Sequence, residues 1–156
     1  MYDVLIIGAG PGGIFSAYEL IRQNPQLKVG VFEAGHELNK RKCPIDGKKI
    51  KTCIGCKSCS IMSGFGGAGA FSDGKYNITN DFGGTLYEYI GKKNALELMR
   101  YVDDINMAFG GEGTKLYTTA GSVSSAFRTA CIFWMHQSAI WEQISTMWCW
   151  KICMPI

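Results

Sequence analysis

Gly8, Gly10 and Gly13, with Ala9, Pro11 and Gly12 between them, have the residue types and spacing to hold a diphosphate. In this G-x-G-x-x-G pattern the first glycine permits a tight turn, the second lets backbone approach a pyrophosphate, and the third lets a helix pack on a strand. The diphosphate would rest on the N–H groups that open the following helix, where the helix dipole favours negative charge. Glu33 stands about twenty residues past Gly13, where a carboxylate can accept the ribose hydroxyls of an adenosine half. A carboxylate there also disfavours a 2′-phosphate, which argues against NADP. A glycine-rich turn that serves packing alone is the competing reading, and this loop by itself fits FAD and NAD equally.

A second glycine-rich run extends from Ser60 to Lys75 and contains Gly64, Gly66, Gly67, Gly69 and Gly74. So many glycines exclude the interior of a strand or helix and imply a loop whose backbone something approaches closely. A second ligand surface is the simplest cause, with a flexible hairpin as the alternative. Just before it, Cys43, Cys53, Cys56 and Cys59 supply four thiols, enough for tetrahedral zinc or a four-iron cluster. Their order differs from the usual ferredoxin run, since the Cys-Pro pair precedes the triplet. A redox-active dithiol and ordinary reduced cysteines remain open beside the metal reading. His36 and His136 have no Ser or Cys nucleophile at a recognisable motif, so hydrolytic catalysis has no support.

The elements that must position these residues follow from periodicity. Asp3 to Ile7 reads as a short strand that runs straight into the glycines. Ile14, Tyr18 and Ile21 then mark one face of a helix that Pro25 stops, and Leu27 to Phe32 reads as a second strand ending in Glu33. The expected fold class is α/β, a partial Rossmann-like FAD/NAD(P)-binding domain with a βαβ unit at the N-terminus. Further on, Leu98, Val102, Ile105 and Phe109 share a face of an amphipathic helix expected over Asn94 to Phe109, with Glu97, Arg100, Asp103 and Asp104 off that face. Gly110 and Gly111 would end it.

The chain has 156 residues, 47% hydrophobic and 19% charged, a mix that excludes a disordered polyelectrolyte, a collagen and a coiled-coil rod. Sixteen Lys plus Arg against thirteen Asp plus Glu leave a net charge of +3, which gives no case for nucleic acid as a partner. The basic residues Lys40, Arg41, Lys42, Lys48, Lys49 and Lys51 read first as a solvated loop. An acidic start and a short apolar run at Val4 to Ile7 do not make a secretory leader, and no apolar stretch is long enough to span a membrane. Seven cysteines without an export signal point to reduced thiols and a cytoplasmic location.

Taken together, Tyr2 to Gly13, Glu33, the Lys40-Arg41-Lys42-Cys43-Pro44 segment, the Cys53-x-x-Cys56-x-x-Cys59 triplet and the Ser63 to Lys75 loop resemble the N-terminal part of a bacterial family of FAD-dependent proteins described as NAD(FAD)-utilizing dehydrogenases. The likeness covers residues 2 to 118, and the cysteine segment joined to the second glycine loop is its most specific part. It implies FAD as cofactor, with Gly8, Ala9, Gly10, Pro11, Gly12 and Gly13 on the pyrophosphate and Glu33 on the adenosine ribose. It also implies that Arg41 and the stretch Gly66, Gly67, Ala68 and Gly69 approach the pyrophosphate and flavin. NAD would serve as co-substrate in the intact family, beside a small-molecule substrate the sequence does not identify. A flavin carries the hydride or electrons itself, so this reading needs no protein nucleophile.

The likeness ends after Tyr117. Of the charged side chains only Arg128, Glu142 and Lys151 fall in 119–156, yet all four tryptophans, Trp134, Trp141, Trp148 and Trp150, lie there. Read two nucleotides later, codons for Cys131 to Ile156 meet no forced stop and can encode a string with an Ile-Arg-His-Leu-Gly-Thr-Asp core that resembles the family. The code fixes parts of that string: Trp134-Met135 must give Asp, and Trp150-Lys151 must give Glu. The expectation is a truncated FAD-binding domain over 1–118 and an aberrant, out-of-frame tail over 119–156, a polypeptide inactive by itself. A Trp-rich hydrophobic element is the alternative for the tail. An NAD-binding dehydrogenase fragment and a cysteine-rich metal or iron–sulfur electron-transfer module are the alternatives for the function.

Overall fold

The computed structural model describes residues 1–72, 74–111, 113–118, 126–129 and 151–153. In order the elements are β1 (Val4–Ile7), α1 (Pro11–Gln23), β2 (Val29–Glu33), β3 (Lys75–Ile78), α2 (Leu86–Ile90), α3 (Lys92–Asn106), β4 (Lys115–Thr118), β5 (Ala126–Thr129) and β6 (Lys151–Cys153). Single tight turns of helix occur at Leu38–Lys40 and Ala68–Phe71, and a wide turn at Met107–Gly111 follows α3. The chain divides into two compact units, one of residues 1–71 and 137–156 and the other of 72–136.

The first unit is a mixed α/β body built on a parallel sheet in the order β1-β2-β6. β1 runs beside β2 with Val4 opposite Val29 and Ile7 opposite Phe32, and β2 runs beside β6 with Glu33 opposite Cys153. A parallel pair requires a crossover, and α1 provides it. Pro11 opens α1 at a position where a missing N–H costs nothing. The helix ends at Gln23, where the Asn24 N–H reaches the Leu20 carbonyl and Pro25 prevents another turn. Ile14, Ala17 and Ile21 form its buried face, and Val29 and Val31 are buried in β2. Burying a side chain the size of Val or Ile contributes roughly 1.5–3 kcal/mol, so these residues hold the helix on the sheet. Ala17 takes the inner place expected of Tyr18, because a methyl group lets α1 approach the sheet closely.

The second unit holds an antiparallel sheet in the order β3-β5-β4, with Lys75 and Lys115 both opposite Thr129. Ala95 and Ile105 of α3 are buried, and the Tyr76 hydroxyl on β3 donates to the Met99 carbonyl of α3 at 3.0 Å. The helix begins two residues earlier than expected and ends three earlier. Leu98 is left 45% exposed and Asp103 is buried, so the inner face is rotated from the one periodicity suggests. Phe109 and Gly110 leave helical geometry, with Gly110 at φ +112°.

Within the 119–156 segment expected to be aberrant, residues 126–129 and 151–153 are strands, each joined to one sheet. The rest of that segment, including His136 and the four tryptophans, lies outside the described residues. Among the described residues no helix is long and apolar enough to cross a membrane.

Candidate functional site

Chemistry in the first unit gathers at the C-terminal end of β1. Gly8 turns the chain with φ +98°, a conformation that L side chains rarely adopt. Its N–H donates to the Phe32 carbonyl at 2.7 Å, continuing the ladder between the strands. A Cβ on Gly13 would collide with the Gly8 carbonyl oxygen and press on Ile6, so only glycine lets α1 pack this close. A Cβ on Gly10 or Gly12 would meet nothing within 4 Å. Those two glycines line open space, and protein packing does not demand them.

The first turn of α1 has no side-chain cap, because its cap residue is Gly10, and it carries no acid. The positive end of the helix dipole therefore faces that open space with no counter-charge from its own turn. Glu33, at the end of β2, accepts the Ala9 N–H at 2.7 Å on one carboxylate oxygen and the Gly35 N–H at 2.8 Å on the other. The carboxylate thus touches the glycine loop itself. Each of its oxygens keeps acceptor capacity beyond those bonds.

The second glycine loop docks onto the first. The Gly66 N–H donates to the Ala9 carbonyl at 2.8 Å, and a Cβ on Gly67 would come within 3.2 Å of the Gly10 Cα. Gly66 and Gly67 both have positive φ, at +88° and +61°, while Ala68 and Gly69 begin the short turn that follows. The structure thus brings Gly8–Gly13, Glu33 and the 66–67 stretch together.

Arg41 is only 3% exposed, and its guanidinium faces the chain. Nε donates to the Ser60 carbonyl at 2.8 Å, Nη2 to Ile61 at 2.6 Å, and Nη1 to Phe65 at 2.6 Å and Gly67 at 2.9 Å. The same group lies 4.7 Å from the centre of the Phe71 ring. Burial lowers the Arg41 pKa, and the charges of Glu33 and Cys59 oppose that shift. Arg41 is therefore no part of a solvated basic loop: its fork, the group expected to approach a pyrophosphate, donates here to four main-chain carbonyls. This role is missing from the sequence reading, although a signal for it exists. A loop of glycines without regular structure leaves carbonyls in need of donors, and Arg supplies five N–H groups in a fixed fork.

Cys43, Cys53, Cys56 and Cys59 carry free thiols and line one cavity of about 100 Å3. As they stand, no three His, Cys, Asp or Glu side chains among the described residues are grouped to hold a metal ion. His36 is exposed and contributes its carbonyl, which accepts the Phe65 N–H at 3.0 Å.

Comparison with known proteins adds little to this geometry. No known protein family matches the chain. An uncharacterized protein of Clostridium beijerinckii is 38% identical over 71 residues, 46% of this chain and 13% of that relative. Thermovibrio ammonificans THI4 overlays 97% of this chain on 38% of its own at 15% identity and a TM-score of 0.43, too low to assign a fold. The chain thus spans well under half the length of both proteins.

Proposed function

We propose that the first unit binds the diphosphate and adenosine ribose of FAD, as the nucleotide-holding part of a flavin-dependent oxidoreductase. The observation that carries this reading is the first turn of α1, an uncapped helix N-terminus beside glycines whose missing side chains leave open space. A diphosphate would accept from N–H groups of that turn, stabilised by the helix dipole. Glu33 would accept a ribose hydroxyl on the lone pairs left after its bonds to Ala9 and Gly35. Arg41 acts one step removed, fixing the 60–67 loop whose Gly66 and Gly67 lie against the first loop. Bound flavin would supply the hydride or electron chemistry, while these residues bind and orient it. The choice of FAD over NAD rests on the sequence resemblance, because both share this half of the molecule.

Titration of FAD into the whole chain, followed by quenching of flavin fluorescence and by competition with ADP, tests the reading. Saturable quenching that ADP reverses is the expected result. Gly10→Val, which fills space empty of protein, should weaken binding by about tenfold or more while leaving the circular dichroism unchanged. Tighter binding of NAD than of FAD would favour the NAD-dehydrogenase alternative. A folded chain that takes up FAD, NAD and ADP no better than its Gly10→Val variant would overturn the proposal.

A further inference from the structure

The nucleotide reading makes no use of the four clustered cysteines, whose placement in space says more than their spacing. Cys43 precedes the triplet by ten residues and could lie anywhere relative to it, yet it lines the same cavity as Cys53, Cys56 and Cys59. The other walls include the apolar Pro44, Ile45 and Ile54. From Cys43 to Cys59 the chain forms no helix or strand, and Ile45 and Ile54 are 41% and 58% exposed. Such a loop has neither a backbone ladder nor a core of its own, and long irregular loops in compact domains are usually either functional or disordered linkers.

The ends of the segment are nevertheless built. Oδ1 of Asp46 accepts three N–H groups, from Lys48, Lys49 and Ile50, at 2.8, 2.8 and 2.9 Å. Arg41 fixes the chain immediately after Cys59 through Ser60 and Ile61. Cys53, Cys56 and Cys59 lie between these two fixed points and Cys43 just before the first, and all four line the same cavity.

We propose that Cys43, Cys53, Cys56 and Cys59 bind one thiophilic metal centre, a zinc ion or an iron–sulfur cluster, which staples the 43–59 loop. Four thiolates match the ligand count of both centres. Binding converts each thiol to a thiolate, releases its proton to solvent and forms one sulfur–metal bond, with no change in sulfur oxidation state. The sulfurs must close on the metal from their present positions, a movement that a loop free of helix and ladder bonds permits.

The test is metal analysis of the whole chain, purified under anaerobic, reducing conditions. About one zinc per chain, or iron with a matching amount of acid-labile sulfide, is expected and tells the two centres apart. Cys53→Ser/Cys56→Ser should lose the metal, whereas Cys131→Ser/Cys149→Ser should keep it. A cobalt titration reads the thiols directly even if metal is lost in handling. The intense near-ultraviolet absorption of cobalt thiolates should appear in the wild type and in Cys131→Ser/Cys149→Ser, and be absent from Cys53→Ser/Cys56→Ser. A metal-free chain without that absorption, whose thiols react with an alkylating reagent equally fast with and without zinc, would overturn the proposal. So would metal retained by Cys53→Ser/Cys56→Ser. None of these readouts involves a nucleotide, so the metal site and the flavin reading stand or fall separately.

Discussion

Arg41 shows how one side chain can replace secondary structure. A buried cation is costly unless every donor finds a partner, and here four carbonyls and the Phe71 ring supply partners where helix and strand are absent. Lysine would keep the charge but not the fork, since its three donors radiate from a single atom. Arg41→Lys should therefore destabilise the first unit by about 1–3 kcal/mol in urea denaturation, the range expected when buried carbonyls lose their donors. It should also speed hydrogen exchange at the Phe65 and Gly66 amides, which bond to His36 and Ala9. Unchanged exchange at both amides would show that the loop does not depend on the guanidinium. Residue types announce Gly8 and Gly13 because the positive φ of the one and the close packing of the other favour glycine, and Glu33 because a carboxylate can accept the loop's N–H groups. The direction of Arg41 is not legible in the same way, because it depends on where distant carbonyls point.

Among the elements, β1, α1 and β2 are legible because their pattern is local: a short apolar run, glycines, a face at helical spacing and a proline stop. The face of α3 is less so, because its inner side is fixed by strands whose positions periodicity does not encode. Gly13 and Gly12 separate packing from ligand access within α1. Gly13→Ala should cost about 1–3 kcal/mol or more in thermal or urea unfolding, since the added methyl meets backbone that cannot yield. Gly12→Ala should fold at least as well as the parent, because its Cβ meets nothing and Ala favours helix by up to ~1 kcal/mol. Equal stability of the two variants would refute the close helix–strand contact. In the second unit, burial first and Asp103 second raise the Tyr76 pKa from 10.0 to about 12. The unfolded chain thus ionises first, so stability is full below pH 10 and falls as pH rises towards 12. Solvent screening of this partly exposed ring keeps the loss to on the order of 2 kcal/mol or less. Tyr76→Phe should flatten the stability profile between those pH values, at the expense of the hydrogen bond to Met99.

At the scale of the whole molecule, strands of parallel sheets are usually covered on both faces, and among the described residues β2 follows that habit at Val29, Gly30 and Val31 while β1 does not. Along β1 the side chains alternate in exposure, and Leu5 and Ile7 are 56% and 83% exposed. Their types match a strand buried on both sides, while their surroundings match one buried on a single side. The glycine loop leaves this same strand directly after Ile7, so anything that distorts β1 reaches Gly8 at once. Exposed apolar groups on a strand favour association in water, and the chain should self-associate through this face. Ile7→Lys places a charge where the side chain already meets solvent, so it should alter stability by no more than about 0.5 kcal/mol. It should shift sedimentation or gel filtration towards smaller species at equal concentration and reduce binding of a hydrophobic dye. Leu5→Lys should do the same, because residues two apart on a strand share a face. If neither variant changes the size distribution, the outer face of β1 does not drive association.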